Sequence, residues 1–274
     1  ATEAYLTEDD KELWPADAMA RGISSTDINN IFPNNWYLSY PVNDDLCRRG
    51  LLTAERCFTF EGTYLESSFV SNALSSPNSA RIIGIKANMG TGKTTSTIEA
   101  VVATKRPVIV LVTRIALVNK IVSDFNVHLR RIEDERRMVP YNRKKKKKDM
   151  TRTEFMGFPL VACTLQSALE KLGGPNEPMN WVSRFQQQGY ILIIDEARET
   201  FEELGACRTM RRRSQRIGFV SNAVLKSKHT ILLSSHLKPE LMCDLATLTP
   251  SPPREPLPIA MVGLDTNEGE QQER

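Results

Sequence analysis

Short apolar runs alternate with amphipathic stretches over residues 80–248. Five runs rich in isoleucine, leucine and valine predict strands: RIIGIKA, PVIVLVT, PLVACT, YILIID and TILLSS. The stretches between them predict helices: TTSTIEAVVATK, IALVNKIVSDFNVHL, LQSALEKL and EARETFEEL. Apolar strands that alternate with helices are typical of parallel β-α-β units, in which helices cover both faces of the sheet. The pattern therefore predicts an α/β domain of three layers around a mostly parallel sheet.

The segments on either side of this domain have a different composition. Residues 1–79 are rich in Asn, Pro, Ser and aromatic residues, so we expect an irregular accessory segment that ends in a linker at SNALSSPNSA. Within it, LTAERCFTFEGTYL predicts one short strand or helix. Residues 249–274 are rich in Pro, Glu and Gln, which predicts a disordered tail.

Composition excludes several classes of protein. The chain has 274 residues, of which 41% are hydrophobic and 25% charged, as in ordinary globular proteins. Its five cysteines contain no C-x-x-C pair, which argues against a disulfide framework and a zinc site and fits an intracellular compartment. No apolar run is long enough to span a membrane, so we expect no membrane partner.

Positive charge is concentrated in Arg143–Lys148, which contains five consecutive lysines. Such a run serves as a nuclear localisation signal, as a patch for DNA phosphates, or simply as a solvated loop, and these alternatives stay open. No aromatic residue lies between the lysines, so a patch here would bind the backbone without contacting bases.

The stretch ANMGTGKTT has the pattern of a phosphate-binding loop, with Ala87 in place of the usual first glycine. It follows a predicted strand and begins a predicted helix, where free backbone amides favour phosphate. We expect Lys93 to contact the β and γ phosphates and the Thr94 hydroxyl to ligate Mg²⁺. The predicted nucleotide contacts are Gly90, Thr91, Gly92, Lys93, Thr94 and Thr95. The alternative is a glycine turn that precedes a helix by chance.

Two carboxylates lie at the end of the predicted strand YILIID. Asp195 ends the strand and Glu196 comes next, as expected for a pair beside a phosphate-binding loop. Asp195 would hold hydrated Mg²⁺, and Glu196 would orient or deprotonate the attacking water. The alternative is an N-cap aspartate followed by a glutamate in the first helical turn, which stabilises a helix without any catalytic role.

The combination of these motifs resembles the superfamily 2 helicases, and most closely the herpesvirus-type replication origin-binding proteins. The resemblance covers Phe60–Leu248. The segments that carry it are IKANMGTGKTT, VLVTRIALVNKI, VACTLQSALEKL, ILIIDEARETFEEL and TILLSSHL. It implies a RecA-like P-loop ATPase lobe that uses ATP and Mg²⁺, has Lys93, Asp195 and Glu196 as catalytic residues, and acts on DNA in replication. We expect an intracellular location, either the nucleus, on the evidence of the lysine run, or the replication compartment of a virus or mobile element.

The resemblance also implies which residues contact the nucleic-acid backbone. These are Thr113 and Arg114 after the second strand, and Thr164, Gln166 and Ser167 after a later one. Hydroxyl and guanidinium groups at strand ends suit phosphate contacts. The alternatives are a surface arginine at a helix start for Arg114 and helix capping by Thr164 or Ser167.

Three departures from the family bear on activity. SSH stands at residues 234–236, where relatives often carry Asp-Ala or Ser-Ala-Thr, so His236 is a further candidate beside the phosphates. Arg211–Arg213 precedes the last predicted strand and predicts a basic helix face. The arginines that such motors receive from a second RecA-like lobe are expected in trans, and without them the ATPase should be weak. The alternatives are an accessory module that binds nucleotide or DNA without translocation, and a different P-loop ATPase such as a small-molecule kinase.

Overall fold

The computed structural model describes residues 46, 52, 56–60, 63–75, 80–140, 152–172, 180–206, 213–237, 239–246 and 259–264. All of them belong to the compact unit Val42–Arg274. The lysine run Arg143–Lys148 lies outside the described residues, as do residues 211 and 212 of the predicted basic face.

Within the described ranges, strands and helices alternate over most of the chain. The strands are β1 (Cys57–Phe60), β2 (Ile82–Lys86), β3 (Val108–Val112), β4 (Val139–Pro140), β5 (Leu160–Thr164), β6 (Ile191–Asp195), β7 (His229–Ser234) and β8 (Ile259–Leu264). The helices are α1 (Ser67–Ser75), α2 (Lys93–Ala103), α3 (Ile115–Arg131), α4 (Arg152–Gly157), α5 (Leu165–Leu172), α6 (Trp181–Gln186), α7 (Ala197–Ala206), α8 (Arg213–Lys226) and α9 (Pro239–Ala246). No helix among the described residues is long and apolar enough to cross a membrane.

The strands form one sheet in the order β1-β8-β2-β7-β6-β3-β5-β4. Every strand pair is parallel. Because parallel strands all end at the same edge of a sheet, the loops that follow β2, β3, β5, β6 and β7 share that edge. We call it the carboxyl edge, and all the candidate residues predicted after these strands belong to it.

Two apolar cores lie on the two faces of this sheet. One contains buried residues of α1, α2 and α3, such as Ile98, Val101 and Phe125. The other contains buried residues of α5, α6, α8 and α9, such as Trp181 and Phe219. The central strands β2, β3, β5, β6 and β7 alternate their side chains between these cores, which explains why their sequences are apolar almost throughout.

The predicted fold class is confirmed. All five predicted strands are present as β2, β3, β5, β6 and β7, and the predicted helices are present as α2, α3, α5 and α7. The ambiguous stretch around residue 57 forms the strand β1. Residue 213, at the end of the predicted basic face, begins α8.

The expectation of a disordered tail is wrong for residues 259–264. They form β8, which lies inside the sheet and pairs with β1 on one side and β2 on the other. The apolar run IAMVGL is buried from Ile259 to Val262, and the surrounding Pro-rich and acidic composition concealed it. The sheet therefore extends past the expected domain limit at residue 248 and also includes β1.

Gly84 is the residue of β2 that allows this insertion. It lies in register with Met261 of β8. A Cβ atom at Gly84 would lie 2.6 Å from both Leu237 Cδ2 and Met261 Sδ, and 3.1 Å from Met242 Cε. The absence of a side chain at this position therefore gives α9, β8 and the chain after β7 room to pack against β2.

We expect Gly84→Ala to lower the free energy of unfolding by about 1–3 kcal/mol, because the added methyl group overpacks this contact. The measurement is urea unfolding at neutral pH. Gly218→Ala on α8 is the matched control, since a Cβ atom there meets nothing within 4 Å. Ala in a helix interior is favoured over Gly by up to about 1 kcal/mol, so this control should be neutral or stabilising. Equal stability of Gly84→Ala and the parent would contradict the packing of β8 against β2.

Candidate functional site

The loop between β2 and α2 has the backbone conformation of a phosphate-binding loop. Gly90 and Gly92 have φ angles of 84° and 79°, a region that residues with side chains rarely adopt. Gly92 is the N-cap of α2 and has no side-chain cap, so the first amides of the helix are left for another partner. An anion at this helix start would meet free N–H groups and the positive end of the helix dipole.

The Lys93 side chain folds back and contacts the backbone of its own loop. Its Nζ donates hydrogen bonds to the carbonyl oxygens of Ala87, at 2.5 Å, and Asn88, at 2.7 Å. Burial lowers the pKa of Lys93, while the negative charges of Glu196 and Asp195 act in the opposite direction. The predicted lysine and carboxylates therefore lie close enough to act on one another, although they come from different segments of the chain.

Leu65, which precedes the predicted domain, is hydrogen-bonded to the phosphate-binding loop and to α2. The Leu65 amide donates to the Thr91 carbonyl at 2.8 Å, and the Ser96 hydroxyl of α2 donates to the Leu65 carbonyl. The Thr91 hydroxyl donates to the Asn88 carbonyl at 2.9 Å. Thr91 therefore shapes the loop through its own contacts. Of the other predicted contacts, Thr94 is half-buried and Thr95 is exposed.

Asp195 ends β6 beside β7 and is only 9% exposed. Its Oδ1 accepts a hydrogen bond from the Glu196 amide at 3.1 Å, and its carbonyl accepts one from the Thr200 hydroxyl at 3.2 Å. Burial raises the pKa of the Asp195 carboxyl, and the charges of Lys93 and Lys120 lower it in part. A buried carboxylate that is incompletely compensated has the chemistry of a cation ligand.

Glu196 has a left-handed backbone, with a φ angle of 48°. This conformation costs a residue with a side chain on the order of 1–3 kcal/mol, and such residues cluster at functional sites. Burial raises the pKa of Glu196, and the charges of Asp195 and Glu199 raise it further. A carboxyl with a raised pKa is suited to accept a proton from water.

Thr94, Thr97 and Asp195 reach one small cavity beneath α2, whose other lining residues, among them Ile98 and Phe125, are apolar. This apolar space is not itself a metal site, but it shows that Thr94 and Asp195 lie near each other. A threonine hydroxyl and a carboxylate are oxygen ligands of the kind that Mg²⁺ prefers, so the chemistry of these two residues fits the predicted magnesium site.

The predicted nucleic-acid contacts also lie at the carboxyl edge. Thr113 and Arg114 follow β3, and Arg114 is exposed at the N-cap of α3. Thr164 ends β5 and is buried, and its hydroxyl donates to Ser167 Oγ at 3.0 Å. This bond joins two side chains and satisfies no backbone amide of α5, so it does not decide the capping interpretation for Thr164. Gln166 is exposed. The roles of all five residues in binding remain predictions.

Three charged residues at this edge were not predicted. Lys120 of α3 acts on the charge of Asp195, and Glu199 of α7 acts on both carboxylates. Burial lowers the pKa of Lys86, at the end of β2, to about 8. Glu199 lies one helical turn after Glu196, and this spacing could have indicated that the two carboxylates are neighbours. No sequence spacing indicates the positions of Lys120 and Lys86.

His236 is half-buried after β7, and its amide donates to Ser234 Oγ at 3.1 Å. Burial lowers its pKa, and Arg198, Glu199, Lys86 and Lys93 are among the charges that act on it. The structure therefore brings this unusual residue to the candidate site.

Residues 59–229 match the family model "Type III restriction enzyme, res subunit", which covers more than half of the chain. The chain belongs to this family. The matched range contains the phosphate-binding loop, the Asp195–Glu196 pair and both predicted nucleic-acid segments. Membership agrees with the resemblance to superfamily 2 helicases, and the chain is accordingly a RecA-like motor domain of the helicase type. The resemblance to origin-binding proteins is not tested by this match.

Solved structures with a similar arrangement include three helicase structures. A hypothetical ATP-dependent RNA helicase from Sulfolobus tokodaii is 15% identical with a TM-score of 0.48, over 82% of this chain and 57% of its own. The UvsW helicase from bacteriophage T4 is 14% identical with a TM-score of 0.44, over 76% and 63%. The C-terminal domain of a possible DNA helicase from Lactobacillus plantarum is 8% identical with a TM-score of 0.33, over 73% and 99%. No curated protein matches the chain in sequence.

We expect Asp195→Asn to stabilise this family member at pH 7 in the absence of metal. The folded state raises the pKa of Asp195, so stability falls as the pH rises from the unfolded value, about 3.9, through the folded one. Asparagine removes this cost, and its advantage should vanish below the unfolded pKa, where the aspartate is also neutral. The measurement is urea unfolding with a chelator from pH 3 to pH 8.

Asp124→Asn on α3 controls for the removal of one negative charge from a half-buried position. If Asp195→Asn is no more stable than the parent at pH 7, the burial of this carboxylate carries no net cost.

Proposed function

We propose that the chain is the ATP-binding and ATP-hydrolysing motor lobe of a DExx-type DNA helicase that resembles replication origin-binding proteins. The observation that carries the proposal is that the loop holding Lys93 and the strand end at Asp195 and Glu196 lie at the same edge of the sheet, where Thr94 and Asp195 line one small cavity. A lysine inside a phosphate-binding loop, opposed by two carboxylates at the end of a nearby strand, is the arrangement that phosphoryl transfer from ATP requires.

The parts of the site have separate tasks in this proposal. The loop amides and Lys93 bind the phosphates, and Lys93 leaves its carbonyl partners when a phosphate arrives. Thr94 and Asp195 would hold Mg²⁺, which neutralises charge on the phosphates when it is bound. Glu196 orients the attacking water and accepts its proton, a task for which its raised pKa is suited.

His236 and the arginines of a second lobe complete the proposed cycle. His236 lies among charges of the phosphate site and is placed to respond to the state of the nucleotide. A second RecA-like lobe would supply arginines to the γ-phosphate, which typically raises the rate of hydrolysis by about 10³–10⁵-fold. Replication proteins are further proposed partners, on the resemblance alone.

The proposed substrate is DNA, bound along the same edge. Arg114 is exposed at the start of α3, and Gln166 is exposed at the start of α5. Both lie where helix starts and polar side chains can contact phosphates without contacting bases. The choice of DNA over RNA rests on the resemblance to origin-binding proteins, so the experiment has to compare both.

We expect Lys93→Ala to lower nucleotide affinity and to reduce ATP turnover by at least about 10²-fold, because it removes a charge that stabilises the transferring phosphate. Glu196→Gln should retain nucleotide binding and lose about 10²–10⁴-fold in turnover. The measurements are nucleotide binding and ATP turnover, with and without single-stranded DNA or RNA.

Lys228→Ala and Glu135→Gln are matched controls, because both residues are exposed and lie outside the carboxyl edge. Nucleotide binding with negligible turnover in the parent would favour the accessory-module alternative or a motor that requires its second lobe. No nucleotide binding in the parent would overturn the proposal.

We expect Arg114→Ala to weaken binding of single-stranded DNA at all sequences. Loss of one phosphate contact should also reduce the slope of log affinity against log salt concentration by about one. The measurement is fluorescence anisotropy of labelled oligonucleotides over a salt series, in DNA and RNA forms.

Arg131→Ala is the matched control, since Arg131 is exposed at the opposite end of the same helix. Equal loss in the two variants would mean a diffuse charge effect, and tighter binding of RNA than of DNA would contradict the proposed substrate.

A further inference from the structure

Arg216 of α8 is a buried arginine without a carboxylate partner in the part of the chain that the structure describes. The residue is only 9% exposed. Its Nη2 donates to the Gln166 carbonyl at 3.2 Å, and its Nε is buried without a protein partner. The ion pairs that Asp134 forms with Lys105 and Arg136 show how a charge is compensated elsewhere among the described residues, and Arg216 has no such pair there.

This arrangement has a cost that the fold does not require. Burial of a guanidinium with one neutral acceptor is unfavourable, and an apolar side chain of similar size would often be at least as stable. Arg216 lies on a helix whose neighbours Phe219 and Val220 are buried apolar residues of the core. Its position is therefore better explained by what it contacts than by packing.

The residue that Arg216 contacts belongs to the first turn of α5, 50 positions earlier in the chain. The bond therefore joins α8 to the segment Thr164–Ser167, and it adds a polar tie to the core packing of Leu165 in the same turn. The segment also has an internal bond between the hydroxyl groups of its first and last residues. Together these two bonds fix the conformation in which Gln166 is presented at the carboxyl edge.

The charge of Arg216 points to the same conclusion. The Gln166 carbonyl is the negative end of one peptide dipole, so it offsets the guanidinium charge only in part, and the free amides of the helix start add partial positive charge nearby. A negative group above the turn would offset both the helix dipole and the guanidinium. A nucleic-acid phosphate is the negative group that the proposed function brings there.

We propose that Arg216 is a positioning residue of the nucleic-acid site, which holds the first turn of α5 through the Gln166 carbonyl and favours a backbone phosphate above it. The inference rests on the proposed function, because it requires nucleic acid to bind at this segment. It assigns a role in strand binding to Arg216, a buried residue of α8 outside the predicted basic face.

The test compares Arg216→Met and Arg216→Lys with the parent. Arg184→Met on α6 is the matched control for the loss of an arginine, because Arg184 is exposed and stacks over Phe185. Amide hydrogen exchange over residues 165–168 is measured without ligand. Affinity for labelled single-stranded DNA and RNA is then measured over a salt series, with circular dichroism and thermal melting as checks of folding.

We expect faster exchange in the first turn of α5 and about tenfold weaker binding in Arg216→Met, the loss typical of a hydrogen bond to a charged group. The salt slope should not change, because no direct phosphate contact is lost. Arg216→Lys keeps the charge and should lie between this variant and the parent. If Arg216→Met does not fold, the inference is tested instead by the hydrogen exchange of α5 and the nucleic-acid affinity of Arg216→Lys. Arg184→Met should match the parent in both.

Four outcomes would overturn the inference. Unchanged exchange in α5 would show that Arg216 does not hold the turn. A salt slope reduced by about one would mean that the guanidinium contacts phosphate directly. Parent-like binding by Arg216→Met would refute the inference while leaving the proposed function intact, whereas a parent that binds no nucleic acid refutes both.

Discussion

The parallel arrangement of the sheet is the constraint on which every other feature of this molecule depends. Because all strands run in the same direction, the ends of β2, β3, β5, β6 and β7 lie at one edge. Segments far apart in sequence, from the phosphate-binding loop to the Asp195–Glu196 pair, are thereby placed within electrostatic reach of one another. The apolar cores on both faces hold the strands in register, and the site inherits their rigidity.

The same arrangement concentrates charge where burial makes it costly. Burial lowers the pKa of Lys93 and raises those of Asp195 and Glu196, so each group is held in a surrounding that disfavours its charged form. The left-handed backbone at Glu196 adds local strain. A ligand that carries both negative phosphates and a divalent cation would offset all of these costs at once. The free energy that these burial and strain terms take from folding is thus available for binding.

A feature of the fold could be predicted from the sequence where the residues that specify it lie in one short stretch of the chain. The strand-loop-helix pattern around Lys93 and the apolar run before Asp195 are local, and both were predicted with the correct elements. β8 was missed because its apolar run lies in a Pro-rich, acidic context and its neighbours β1 and β2 are distant in sequence. Lys120 acts on the charge of Asp195, and Arg216 donates to the Gln166 carbonyl. Both partners are distant in sequence, so no spacing rule predicts them. The cost of burying Arg216 becomes visible only when its surroundings are known.

The hydrogen bonds of Leu65 show why the ATPase lobe cannot be divided at residue 80. One bond holds the Thr91 carbonyl inside the phosphate-binding loop, and the other accepts the Ser96 hydroxyl from the helix that follows. A segment that composition assigns to an accessory region thus fixes both sides of Lys93. β8 and β1 extend the same sheet beyond β2, so the loop is supported from the side that sequence analysis left outside the domain. The backbone on both sides of Lys93 is therefore held by Leu65 as well as by the loop itself, so the motif acts within a frame that other parts of the chain supply.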